Sequence, residues 1–355
     1  MTIIDGRGAP FAAVGAKRQE TPRDAAPVAM LAICSDLDET PDCDTYFELM
    51  RFLNTTETTS MGEGVGLEVG NSIYFDMAPG HVSYWNASEK NKEKFRALIR
   101  SGHIDCLHSY GDLATTRQHA GRALDELSRY DCRLKVWVDH AVAPTNFGAD
   151  IMQGHGDELG HQAYHADLTI DYGIRYIWRG RVTSIIGQDQ PVSFAGIADW
   201  RHPVQSTRTI AKEAAKQALA FCGHAKYRMH RSNRVLQPAV LRDHRCQALE
   251  FLRSSPSWHG VSGLDTGCGI SEVLSRRFLD QLVARRGKCI LYTHLGKLGA
   301  GVTRFSEATV QAFRRLAEYY RSGKVLVTTT RRLLERCESS GDPPRGWERL
   351  SYPSV

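Results

Sequence analysis

The sequence predicts an α/β fold in which about eight parallel strands alternate with helices and form a closed or nearly closed barrel. Two observations carry the prediction: strand-like and helix-like segments alternate along the chain, and no Gly-x-Gly-x-x-Gly motif follows the first strand. The length of 355 residues suits one large α/β domain. We therefore expect a single barrel domain at residues 28–338, with a flexible arm at 1–27 and a tail at 339–355.

The strands are predicted from short apolar runs. The first run, at residues 28–34, is seven apolar residues long and is typical of a strand buried on both faces. Further strands are predicted at residues 66–75, 104–107, 134–138, 174–178, 234–241, 288–292 and 324–328. Pro238 weakens the prediction for 234–241, because proline cannot donate a ladder hydrogen bond.

The helices are predicted from apolar residues that repeat along one face. The clearest begins at Ser88, which can cap it, carries Phe95, Leu98 and Ile99 on one face, and ends at Gly102. The others are predicted at residues 115–130, 157–171, 206–222, 271–286 and 306–321. The connection at 42–88 is unusually long, which is typical of a lid or a substrate-binding loop.

Composition excludes several classes of protein. The net charge of +5 is spread along the chain, which argues against a nucleic-acid-binding protein. Nine cysteines are an odd number and too few for a disulfide scaffold. No apolar run approaches the length of a membrane span, and no secretory signal is visible near the start. We therefore expect a cytoplasmic protein with no membrane partner and no nucleic-acid partner.

Ionisable residues follow four of the predicted strands. They are Asp36 and Asp38, His108 and Asp112, Asp139 and His140, and His294. Each has an ordinary structural explanation, such as a turn, a helix cap or a half-buried histidine. Because strand ends meet at one face of a barrel, and because burying so many ionisable groups costs several kcal/mol each unless they pair or bind metal, the pattern predicts a shared site.

The arrangement resembles the polysaccharide deacetylase family (carbohydrate esterase family 4). That family has Thr-Phe-Asp-Asp-Gly after its first strand, then His-Ser/Thr-x-x-His, and a late Leu-x-His; the matching stretches here are residues 35–39, 108–112 and 291–294. Residues 323–329 are similar to the family's final strand. Three departures stand out: Leu37 separates the two carboxylates, Asp112 replaces the second histidine, and the family's Arg-x-Pro segment is missing.

The resemblance implies a distorted (β/α)7 barrel that removes an N-acetyl group from a sugar or glycan. It implies a divalent metal held by Asp38, His108 and Asp112, with Asp36 as general base and His294 as general acid. Zn²⁺ is the first choice, and Mn²⁺ or Fe²⁺ the second. Which of Asp36 and Asp38 binds the metal stays open, because the two are not adjacent.

Six further residues are candidate contacts for a carbohydrate substrate: Asp139, His140, His155, Asp157, Tyr84 and Trp85. The aromatic pair can stack on sugar rings, and His140 serves either as a further ligand or to orient substrate. Two other functions stay open: metal-dependent hydrolysis of a glycosidic or other C–N bond, and a non-catalytic glycan-binding barrel. The sequence predicts no oligomeric state.

Overall fold

The computed structural model of the protein describes residues 28–256, 258, 264–339 and 349–355. Within these residues the fold is mixed α/β, with one curled, mostly parallel sheet and helices packed around it. The predicted arm at 1–27 lies outside the described residues, as do residues 340–348 of the predicted tail. The last seven residues pack onto the body, since the Arg349 guanidinium donates to the carbonyl oxygens of Asn54 and Leu67.

The strands of the described chain form one large sheet and one hairpin. The large sheet contains β1 (Ala29–Ser35), β4 (Gly70–Ile73), β5 (Ile104–His108), β6 (Val136–Val138), β7 (Tyr176–Trp178), β8 (Val182–Thr183), β9 (Leu236–Pro238), β10 (Leu249–Phe251), β11 (Arg253–Ser254), β12 (Lys288–Thr293) and β13 (Val325–Thr328). The hairpin pairs β2 (Thr58–Thr59) with β3 (Gly62–Glu63).

The helices connect these strands and cover the sheet. They are α1 (Cys43–Asn54), α2 (Glu89–Ser101), α3 (Arg117–Arg129), α4 (Ala166–Tyr172), α5 (Pro203–Phe221), α6 (Ile270–Val273), α7 (Arg276–Arg285), α8 (Glu307–Arg321) and α9 (Thr330–Glu338), with a 3₁₀ helix at Ala225–His230. Ser88 caps α2 as predicted, because its hydroxyl accepts a hydrogen bond from the amide of Asn91.

The sheet order is β8-β11-β12-β1-β4-β5-β6-β7-β10-β9, with β13 also paired to β1. The strands named in this order pair in parallel, except β9 with β10. Strands β10 and β11 are separated only by Leu252. Because β10 pairs with β7 and β11 pairs with β12, this short segment contacts strands from both ends of the curled sheet. The mixed α/β prediction is confirmed, but the described sheet is not a closed (β/α)8 barrel.

Three elements differ from the sequence prediction. The strand predicted at 234–241 is the short antiparallel strand β9, and the parallel strand follows at 249–254, where Glu250 and Arg253 interrupt the apolar pattern. The connection predicted at 42–88 contains helix α1. The helix predicted at 157–171 begins only at Ala166, because residues 157–165 form a loop.

Strand β1 explains how the sheet positions its functional groups. Leu31 and Ile33 pack in the cluster between sheet and helices, whereas Met30, Ala32 and Cys34 pack in the cluster on the opposite face. A strand buried on both faces reads as a continuous apolar run, as observed. The first polar side chains after this run therefore lie at the carboxyl edge of the sheet.

The described helices include none that combines the length and the apolar character needed to cross a membrane.

Candidate metal centre

Six neighbouring strands bring polar side chains to the same edge of the sheet. The strands are β11, β12, β1, β4, β5 and β6. The side chains that meet there are Asp36, Asp38, Ser72, Tyr74, His108, His140, Arg253 and His294. Four of these were predicted to meet although they come from three separate parts of the sequence, and the structure brings them together: Asp36, Asp38, His108 and His294.

Asp38 lies at the centre of this cluster. Its Oδ1 is 2.9 Å from Nε2 of His140 and its Oδ2 is 3.1 Å from Nε2 of His294. The Tyr74 hydroxyl donates a further hydrogen bond to Oδ1. Burial favours a neutral carboxyl, but hydrogen bonds from the two histidines outweigh it and hold the pKa of Asp38 well below its usual range.

Each of the three imidazoles has its Nδ1 engaged by another side chain. Nδ1 of His140 lies 2.8 Å from Asp112 Oδ1, and Nδ1 of His108 lies 3.0 Å from the Ser72 hydroxyl. Nδ1 of His294 lies 3.5 Å from Asp265 Oδ2. A contact at Nδ1 fixes the orientation of the ring and so directs Nε2. This arrangement is typical of metal-binding histidines.

The surroundings of the histidines set their charge. Burial opposes the charged form of His140, but hydrogen bonds to Asp112 and Asp38 outweigh it and raise its pKa to about 10. The pKa of His294 is likewise raised to about 10, against burial, by Asp265 and Asp38. Burial dominates at His108 and lowers its pKa to about 4, so this ring is neutral at pH 7.

Asp36 is held by a buried arginine. Nη1 of Arg253 lies 2.7 Å from Asp36 Oδ2 and Nη2 lies 3.2 Å from Oδ1, while the Ser72 hydroxyl donates to Oδ1 at 2.9 Å. Both partners of the ion pair are at most 1% exposed. Burial alone would raise the pKa of Asp36, but Arg253 and His108 lower it, so the carboxylate stays ionised.

Arg253 was not predicted from the sequence, nor were Ser72, Tyr74 and Asp265. The signal for Arg253 was an arginine inside the apolar run at 249–254, since a fully buried guanidinium requires a carboxylate partner. Its guanidinium carbon also lies 4.3 Å from the ring centroid of Trp178, which adds a cation–π contact.

Two overlapping groups of side chains could hold a metal ion. One is Asp38, His108 and His140, the other is Asp36, Asp38 and His294, and the ligand atoms within each lie within 4.8 Å of one another. Two tetrahedral ligands with bonds of about 2.0–2.1 Å lie roughly 3.3 Å apart. The 2.9 Å between Asp38 and His140 is close to that spacing, so these buried side chains could hold a metal ion.

The predicted ligand Asp112 belongs to neither group. It contacts the ring of His140 from behind, and its side chain is 49% exposed. The predicted substrate residue Asp139 is fully buried, and its carboxylate accepts hydrogen bonds from Trp137 Nε1 and from the amides of Phe147 and Gly148. Asp139 thereby holds the loop that begins at His140, and burial raises its pKa to about 7.

The other predicted substrate residues make their contacts elsewhere. Asp157 is buried in an ion pair with Arg242, and the Tyr84 hydroxyl donates to Glu126 while it accepts from Arg96. Trp85 packs edge-on against Phe75, and the exposed His155 stacks on His161 at 4.1 Å. Within the described residues, these hydrogen bonds and ring contacts join the four side chains to partners outside the Asp38 cluster.

No protein-family model matches this chain, and no curated protein or solved structure shows significant similarity to it.

Proposed function

We propose that this protein is a metal-dependent hydrolase that removes an N-acetyl group from a sugar or glycan-type substrate. The observation that carries the proposal is the meeting of Asp38, His108 and His140 at the carboxyl edge of the sheet, beside Asp36 and His294. The pairing of the 249–254 segment with both β7 and β12 further supports a distorted β/α barrel of the kind found in polysaccharide deacetylases.

Asp38, His108 and His140 would hold the metal. His140 replaces Asp112 in the ligand set expected from the sequence, and Asp112 instead orients the ring of His140. One carboxylate and two imidazoles suit Zn²⁺ best and leave positions for water and substrate, with Mn²⁺ or Fe²⁺ as alternatives. When bound, the ion would act as a Lewis acid that polarises the scissile carbonyl and makes water more acidic.

Asp36 and His294 would handle the protons. The ion pair with Arg253 keeps Asp36 ionised and fixes its position, so that it can accept a proton from the attacking water. His294, held by Asp265, would donate a proton to the amine that leaves. Asp36 follows strand β1 and His294 follows the neighbouring strand β12, so both proton-transfer groups would lie beside Asp38.

Acetate release tests the proposal. The full chain is stripped of metal, reloaded with Zn²⁺ and supplied with N-acetylated sugars of increasing length. We expect acetate release that Asp36→Asn lowers by at least about 100-fold, as for loss of a general base, while the exposed control Asp44→Asn on α1 leaves it unchanged. Release of reducing sugar without acetate would favour a glycosidase instead, and metal binding without hydrolysis of any kind would favour a binding protein.

A further inference from the structure

Helix α5 (Pro203–Phe221) has an apolar outer surface and a polar inner one. The side chains it buries are Ser206, Thr209, Glu213, Gln217 and Ala220. Its exposed surface carries large apolar side chains: Val204 is 76% exposed, Leu219 38% and Phe221 66%. Trp200, which lies just before the helix, is 92% exposed. A surface helix normally shows the reverse pattern.

The buried polar side chains have specific partners. Glu213 accepts hydrogen bonds from the Thr183 hydroxyl at 2.8 Å and from Lys216 Nζ at 2.7 Å. Nζ of Lys216 also donates to the carbonyl oxygen of Val182. Because these bonds join α5 to strand β8, they fix the rotation of the helix. The apolar residues are therefore held on the outside.

Contrary to the even spread of charge expected from the sequence, the region around this helix is strongly basic. Residues 199–234 contain eight Lys and Arg against two acidic residues, a net +6, whereas the whole chain carries +5. Both acidic residues are buried and paired, Asp199 with Arg201 and Glu213 with Lys216. Exposed Arg208 and Lys212 lie on α5 itself, which contains no exposed carboxylate.

A shallow groove of about 470 Å³ crosses the first half of α5. It is lined by Pro203, Val204, Thr207, Arg208 and Ala211. A concave apolar surface beside a guanidinium accepts a protruding apolar side chain that is flanked by a carboxylate. An anionic bilayer would also meet exposed apolar and basic side chains, but it offers no single protruding side chain to fill the groove.

We propose that the outer surface of α5, together with Trp200, docks an acidic amphipathic helix of a partner protein. The partner's apolar side chains would cover Trp200, Val204 and Leu219, and its carboxylates would face Arg208 and Lys212. A second copy of this chain fits less well, since twofold pairing of α5 would bring basic side chains together without acidic ones. The proposal is independent of the hydrolase activity.

The proposal is tested with two synthetic helical peptides. Both have the same row of leucines along one face, which is flanked by glutamates in one peptide and by lysines in the other. Their affinity for the full chain is measured by fluorescence anisotropy. We expect the glutamate peptide to bind at least about tenfold more tightly than the lysine peptide. Lys212→Glu should weaken its binding by about tenfold. The matched control Lys90→Glu, at an exposed position on α2, should leave it unchanged.

A second readout is the fluorescence of Trp200, whose emission should shift to shorter wavelength when the glutamate peptide covers the indole. The shift should be absent in Trp200→Phe, which assigns it to this residue. The proposal is overturned if neither peptide binds, if both bind equally, or if Lys212→Glu behaves like Lys90→Glu. It is also overturned if sedimentation shows a dimer that Val204→Asp dissociates. Binding to phosphatidylserine-containing vesicles in place of the peptide would overturn it as well.

Discussion

The ion pair between Arg253 and Asp36 gives the sharpest test of how the site is built. Replacing Arg253 by Met keeps much of the side-chain volume but leaves Asp36, which is 1% exposed, without its cation. Breaking a buried ion pair from one side costs about 3–5 kcal/mol. The loss of the contact with Trp178 adds to that cost. Urea unfolding of the metal-free protein should therefore show a loss of this size.

The double variant Arg253→Met with Asp36→Asn separates this explanation from a general packing defect. Because it removes the stranded charge as well, it should recover much of the stability that the single Arg253→Met variant loses. The matched control is Lys297→Met, which breaks the exposed ion pair with Glu39 and should cost less than about 1 kcal/mol. If Asp36→Asn gave no recovery in the Arg253→Met background, the reasoning would be refuted.

Three further predictions concern metal affinity, backbone conformation and pH. His140→Ala should abolish tight Zn²⁺ binding in a chelator competition, whereas Asp112→Asn should weaken it by about 10–100-fold; equal losses would contradict the assigned roles. Gly111 has a φ of +98° and a Cβ there would lie 2.2 Å from a backbone oxygen, so Gly111→Ala should cost about 2–4 kcal/mol in urea unfolding. Gly121→Ala, where a Cβ meets open space in helix α3, should cost nothing. Burial raises the pKa of Asp105 to about 6 from 3.8, so stability falls by roughly 3 kcal/mol as the pH rises through that range. Asp105→Asn should remove this fall, and thermal melts that show no gain over the wild type above about pH 7 would contradict it.

The strands and the polar residues that follow them could be predicted from the sequence, because both are local features of the chain. An apolar run such as 28–34 predicts a strand buried on both faces, and the residues just after it must lie at the carboxyl end of that strand. Asp36, Asp38, His108 and His294 were found in this way. Arg253 was missed because a charged residue inside a strand breaks the apolar pattern, and only its partner across the sheet explains its burial.

Local sequence features could not show which residues are metal ligands and which only support a ligand. Asp112 and His140 both follow strands and both bear ligand-type side chains, and nothing in their spacing says which faces the centre. His140 contacts both Asp112 and Asp38. These contacts depend on how the loops that follow two neighbouring strands fold against each other.

The sequence by itself determined the mixed α/β class, the first strand and the set of ionisable residues that end the strands, because periodicity and chain order carry that information. Only the tertiary structure decided which of those residues meet, that an arginine on β11 balances Asp36, and that α5 turns its apolar surface outward. The features of the site arise from contacts between side chains far apart in the chain, such as those of Asp36 with Arg253, 217 positions away, and of Asp38 with His294. Contacts of that range leave no periodic trace in the chain.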